Sequence, residues 1–236
     1  MSDIETAKMG IKENDSNTRK FFLKMGGVLA VVMHPVFLFF YCCLFVHFAL
    51  NIGAVEFYFF EIFGIILILT IVFPVIFTIF YSKDLFMKDR KKRPLTILFT
   101  TLCYLACFYC MYLLVHKSSR AGETFDELGG YMIILSLFIV GLLFILYVSF
   151  RYKISFHAYG IGFILALIVV SDFYFAHHLD LMTILAESAM IILGGILLWQ
   201  RIASGSHNKR EVLYGFFSGL LITMLIFLPV YQFLMI

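Results

Sequence analysis

Charge is what this chain has least of. Only 14% of its 236 residues are Asp, Glu, Lys or Arg, against about 25% in soluble globular domains. A single tryptophan and four prolines stand beside 29 phenylalanines and 13 tyrosines, and mean hydropathy reaches +0.98. So little charge excludes a water-soluble globule. No cleavable secretory leader is expected either: residues 1–24, MSDIETAKMGIKENDSNTRKFFLK, are polar and mixed in sign, without an apolar core or a small-residue cleavage site, and read as a retained tail. Internal repeats and any sign of a second domain are absent as well. The five cysteines, Cys42, Cys43, Cys103, Cys107 and Cys110, all sit in apolar runs without polar ligands nearby, which favours small buried hydrophobes over metal ligands.

What is present is a set of apolar stretches of roughly twenty residues, the length that crosses a hydrocarbon core. The reading is an all-α polytopic membrane bundle of about six to seven transmembrane helices. A polar tail at 1–24 precedes a single membrane domain over 25–236. Candidate spans fall at roughly 25–50, 57–81, 95–115, 131–150, 158–176, 181–199 and 212–236. Seven spans place the tail and segments 82–94, 151–157 and 200–211 on one side. That side holds sixteen of the 18 Lys and Arg residues, leaving Lys117 and Arg120 on the other. The excess points to the cytoplasm. A bacterial inner membrane is the expected location, with the bilayer as partner and no nucleic acid.

Three of the predicted spans begin on that basic side with the same ingredients. Arg93-Pro94 opens span three, proline suiting a first helical turn. Ser155 can cap span five, with His157 two residues on. Asn208 and Glu211 have the spacing of a capping-box variant at the start of span seven. Helix N-termini with free N–H groups favour anions, and guanidinium groups beside them favour phosphate. Ordinary basic loops explain the lysines and arginines, but not a histidine at two of the three starts. Glu211, four residues after His207, can accept the proton of one imidazole nitrogen and leave the other free to attack. Arg201, at the end of span six, approaches from a neighbouring helix.

Arg93-Pro94, Ser155-Phe156-His157 and the run RIASGSHNKRE at 201–211 resemble the three signature motifs of the type 2 phosphatidic acid phosphatase superfamily. The likeness covers roughly residues 83–225. Its third motif, Arg, five residues, His, three residues, acid, is matched at every spacing, with Glu211 for the usual aspartate. The resemblance implies a metal-independent, cofactor-free membrane lipid phosphatase. His207 would be the nucleophile that becomes a phosphohistidine, oriented by Glu211, with His157 as general acid. Arg93, Ser155 and Arg201 would hold the phosphoryl oxygens of a lipid phosphomonoester or diphosphate. A phosphotransferase on the same residues, or a non-catalytic scaffold or transporter, are the rival readings. Three departures stand out. Phe86 occupies the position of the motif-one lysine, for which Lys83, Lys88 or Arg90 could substitute; Arg90, one turn from Arg93, is preferred. Ile154 and Phe156 replace a proline and a glycine around Ser155. Gln200 replaces a serine before Arg201.

Other polar residues are read as structural. Asp172 and Glu187 inside spans could suggest transport, but too few such groups line up for a proton path. His177, His178 and Asp180 form an exposed turn on the opposite face. His34, before Pro35, and His47 are assigned to packing or backbone bonding, and Glu56 and Glu61 to local pairing. Gly160, Gly162, Gly194, Gly195, Gly215 and Gly219 are expected to let spans five, six and seven approach closely.

Overall fold

A computed structural model describes residues 20–49, 59–83, 91–120, 126–175 and 181–235. Arg90, Phe86, Lys88, Glu56 and the His177–Asp180 turn lie outside these residues, as does the tail to residue 19. Every regular element described is helical. In order these are α1 (Lys20–Val32), α2 (Pro35–Ala49), α3 (Phe59–Ile66), a π-helical turn (Leu67–Val72) and α4 (Phe73–Ser82). There follow α5 (Arg93–Arg120), α6 (Asp126–Ser149), α7 (Phe156–Phe175), α8 (Leu181–Ala203) and α9 (Lys209–Met235).

Among the described residues, four helical stretches are long and apolar enough to cross a membrane: Glu61–Ser82, Arg93–Leu114, Tyr131–Ser149 and Lys209–Phe227. A fifth is present if α1 and α2, bent by 65° at their junction, count as one crossing. The chain is therefore an all-α bundle of membrane type. Helices α7 and α8 occupy the places read as spans five and six, and the apolar part of α7, Phe156–Val170, is shorter.

Two spans read as continuous are interrupted, and proline marks each break. Span one divides at His34–Pro35. Span two passes through the π-helical turn just before Pro74. A proline offers no N–H to the carbonyl one turn back and crowds it, so the helix bends or widens there. At the end of α4, Lys83 takes up a left-handed conformation (φ 58°) and its N–H closes on the Ile79 carbonyl at 3.0 Å.

An apolar surround forces polar groups to find partners inside the chain. The hydroxyls of Thr70, Thr78, Thr101, Ser136 and Thr223 each donate to the carbonyl four residues earlier, at 2.6 to 2.8 Å. Large apolar side chains such as Leu102, Ile192 and Leu225 point outward, as lipid-facing residues do. The interior is aromatic: Phe39 of α2, Tyr104 of α5, Phe138 of α6 and Phe163 of α7 meet with ring centroids 4.2 to 6.1 Å apart. Cys42, Cys43, Cys103 and Cys107 are buried as free thiols, as their apolar setting suggests.

Helices α7 and α9 approach each other backbone to backbone. Gly162 faces the Phe216 carbonyl, and Gly219 faces the Tyr159 carbonyl, so tightly that neither position has space for a methyl group. Gly215 approaches the Ser155 carbonyl in the same way, and Gly194 of α8 meets Ile161 of α7. Backbone approach of this kind depends on small residues. It brings the start of α7 against the start of α9.

Candidate active site

The connection between α8 and α9 is built from backbone bonds that the sequence supports locally. Ser204 N donates to Gln200 O (2.9 Å) and Gly205 N to Ile202 O (3.0 Å), ending α8. Gly205 then turns left-handed (φ 69°), which glycine does without penalty. His207 N returns to the Arg201 carbonyl at 3.1 Å, hooking the histidine under the helix end. Asn208 caps α9: its Oδ1 accepts from Glu211 N at 2.8 Å, and its Nδ2 donates to Glu211 Oε1 at 3.1 Å. The expected box is present, with the return bond made to the asparagine amide rather than to its backbone.

Glu211 thereby holds its other oxygen towards His207. Nδ1 of His207 lies 2.8 Å from Oε2. A carboxylate can only accept, so Nδ1 carries the proton and Nε2 keeps its lone pair. Lys153 Nζ reaches the same Oε2 at 3.3 Å and the Ser206 carbonyl at 3.5 Å. Lys153 comes from the segment between α6 and α7, which is tied down by Ser155 N donating to the Glu211 carbonyl at 3.2 Å.

Ser155 itself is fully buried and acts as the cap of α7, its Oγ accepting from Ala158 N at 3.4 Å. Its neighbours Lys153, Ile154 and Phe156 line the adjoining cavity in its place. That cavity, about 600 Å³, gathers Arg93 from the start of α5, His157 from α7, Arg201 from α8, and His207 and Lys153 from the loops. The break between α1 and α2 forms its remaining wall through Ala30, His34 and Pro35. The Arg93 guanidinium lies 5.8 Å over the Phe156 ring. Two buried polar atoms of lining residues, Arg201 Nε and Gln200 Oε1, have no hydrogen-bond partner among the described residues. A buried guanidinium nitrogen without an acceptor is costly, and an anion in the cavity is the acceptor its chemistry asks for.

Four of the expected residues, His207, His157, Arg201 and Arg93, thus share one cavity, with Glu211 behind His207. Lys153 joins them on the cavity wall, as do His34, read as packing or backbone bonding, and Gln200, read as a departure from the third motif. Lys153 stands four residues before His157 but was absorbed into the general basicity of its loop. His34 carried a signal of its own, an ionisable residue inside an apolar run.

Burial holds the His207 imidazole below the ordinary histidine pKa, and the Arg201 and Lys153 charges push it the same way. The Glu211 hydrogen bond and charge oppose them without reversing the direction. Neutral imidazole, the form with a lone pair, therefore persists below pH 6.5. If His207 is the nucleophile, the acid limb that its protonation sets on kcat/KM has its midpoint below 6.5. Glu211→Gln removes the two influences that raise the pKa, so its acid limb shifts to still lower pH. Lys153→Met removes one that lowers it, so its limb shifts back up. Profiles of kcat/KM against pH for the three proteins check both signs.

Among the described residues, no group of three or more His, Cys, Asp or Glu side chains is arranged to hold a metal ion. Comparison with protein-family models, with curated proteins and with solved structures returns no match.

Proposed function

We propose that the protein is an integral membrane lipid phosphatase that removes phosphate from a lipid phosphomonoester or diphosphate through a phosphohistidine on His207. One observation carries this reading. A histidine with its Nδ1 proton committed to a carboxylate stands on the wall of a cavity shared with two guanidinium groups, one of which has a buried nitrogen with no partner among the described residues. Nε2 attacks phosphorus, the bond from phosphorus to the lipid oxygen breaks, and its electron pair leaves on that oxygen. Nδ1 of His157 takes up a proton along with the anionic substrate and passes it to that oxygen, leaving the ring neutral with its Nε2 proton still on the Ala30 carbonyl. Water then attacks the phosphohistidine, its proton passing to His157, and inorganic phosphate departs with His207 restored. Arg93 and Arg201 neutralise the equatorial oxygens, where phosphoryl transfer needs charge stabilisation most. Lys153 takes the place of the motif-one lysine as a third cation, while Ser155 serves as a cap.

A lipid fits the surroundings. The cavity opens among apolar helices, and through Pro35 and Phe156 it adjoins an apolar recess of about 80 Å³ walled by Leu38, Ile97, Phe138 and Phe163. That recess suits the first methylenes of a lipid tail while the head group stays with the cations. Seven crossing segments and a cytoplasmic site complete the proposal.

The direct test is release of inorganic phosphate by the purified protein from a panel comprising phosphatidic acid, phosphatidylglycerol phosphate and a polyprenyl diphosphate, with vanadate as competitor. Release from at least one lipid, suppressed by vanadate, is expected. No release from any member together with no vanadate binding sinks the proposal, and transfer of phosphate to a second lipid without release converts it to a phosphotransferase. Lys153→Met is expected to raise KM roughly 5-fold, the equivalent of about 1 kcal/mol from a half-exposed ionic contact, while Lys153→Arg keeps it near wild type.

A further inference from the structure

The break in the first span lies outside all three motifs, yet it touches the second histidine of the site. In an unbroken helix the His34 N–H would bond to the Ala30 carbonyl. Pro35 has no N–H for the Val31 carbonyl, and His34 N turns to that carbonyl instead, at 3.2 Å. The Ala30 carbonyl is thereby exposed sideways, and Nε2 of the His157 ring sits 2.9 Å from it. The other polar groups at the break also have partners: Val36 N donates to His34 Nδ1 at 3.4 Å, and the Tyr41 hydroxyl donates to the Val32 carbonyl at 3.1 Å. The His34 ring packs edge-on against that of His157, with centroids 5.4 Å apart and planes at 88°. Both rings are almost wholly buried on the cavity wall.

A carbonyl only accepts, so this contact puts a proton on Nε2 of His157 and leaves Nδ1 as the nitrogen that exchanges with the cavity. The two histidines are held by different acceptors. His207 has a carboxylate, which suits an imidazole that becomes positively charged on attack. His157 has a neutral carbonyl, which steadies the ring in one tautomer and accommodates its imidazolium form.

We infer that the His34–Pro35 break is a positioning device of the active site: it frees the Ala30 carbonyl to fix the tautomer and orientation of His157. This rests on the phosphatase reading for its catalytic consequence, but not for the tautomer itself. Residues 30–35 therefore act through His157, without touching the reacting atoms.

The test joins a spectroscopic readout to a kinetic one. In full-length protein labelled with ¹⁵N-histidine and held in lipid nanodiscs, the His157 signals, assigned by their loss in His157→Gln, are expected to show one neutral tautomer with the proton on Nε2. Pro35→Ala, which restores an N–H for Val31 and draws His34 N back to Ala30, is expected to mix the tautomers. It should also lower kcat about 10- to 100-fold on whichever panel lipid is hydrolysed, with KM within about 2-fold of wild type. Mixed tautomers, or an Nδ1 proton, in the unmodified protein overturn the inference without any variant having to fold. Unchanged kcat in Pro35→Ala overturns it too. A single Nε2 tautomer in a protein that hydrolyses no lipid overturns the phosphatase reading and with it the catalytic half of this inference, while the structural half stands.

Discussion

His207→Ala is expected to lose phosphate release by roughly 10⁴- to 10⁶-fold in kcat, the scale seen when a covalent nucleophile is removed from a constellation acting as a unit. The substitution leaves the architecture around it in place. The backbone bond from residue 207 to Arg201 does not involve the ring, Asn208 still caps α9, and Glu211 keeps Lys153 as an ionic partner. Vanadate should therefore still bind through Arg93 and Arg201, so binding and chemistry come apart in this variant. A rapidly quenched reaction with ³²P-labelled lipid should label the wild type with a phosphoramidate, which survives base and is lost in acid, and should not label His207→Ala. Label that persists in the variant would assign the nucleophile elsewhere. Equal turnover by the two proteins would end the phosphohistidine mechanism. Glu211→Gln is expected to be less severe, roughly 10²- to 10⁴-fold, because an amide can hold the ring in either tautomer where the carboxylate permits one.

Gly219→Ala and Gly162→Ala should each cost about 1–3 kcal/mol or more, at the upper end for overpacking. Most crowded positions yield by moving a side chain. Here the obstacle is backbone: a Cβ at 219 meets the Tyr159 carbonyl, and one at 162 meets the Phe216 carbonyl. The only relief is for α7 and α9 to separate. His157 rides on α7 and Glu211 on α9, and the Ser155 to Glu211 bond spans the gap between them. Activity should consequently fall about 10²-fold even in folded protein, as expected when reacting groups are displaced by about 1 Å. Thermal unfolding in detergent and phosphate release read the two effects separately. As a control, Gly195→Ala on α8, where no atom of the described residues stands within 4 Å, should leave both near wild type. Retained stability and activity in Gly219→Ala would show that the helix approach is less strict than this packing.

Much of the helical content was legible because membrane insertion leaves a one-dimensional record. An apolar run long enough to cross must satisfy its own backbone, so it becomes a helix almost regardless of its partners. The stretches read at 95–115, 131–150 and 212–236 correspond to α5, α6 and α9 for this reason. Local capping chemistry was equally readable: Asn208 and Glu211 are three residues apart on one turn, and their bonds form within that turn. The pairing of His207 with Glu211 needs only the four-residue spacing of a helix start. Continuity was harder to read. The prolines at 35 and 74 are visible in the sequence, but whether a helix kinks, widens or carries on at a proline depends on what the freed carbonyls meet.

The sequence by itself determined an all-helical membrane chain, the caps of its helices and the orienting contact between His207 and Glu211, because each arises within a few consecutive residues or from composition. Only the tertiary structure decided that Arg93, Lys153, His157 and Arg201 share one cavity, that Ser155 caps α7 while Lys153 lines that cavity, and that the broken first span bonds His157. Those contacts join residues as much as 127 positions apart. They exist because backbone carbonyls and buried charges must find partners across helices, and no local spacing records which partner that will be.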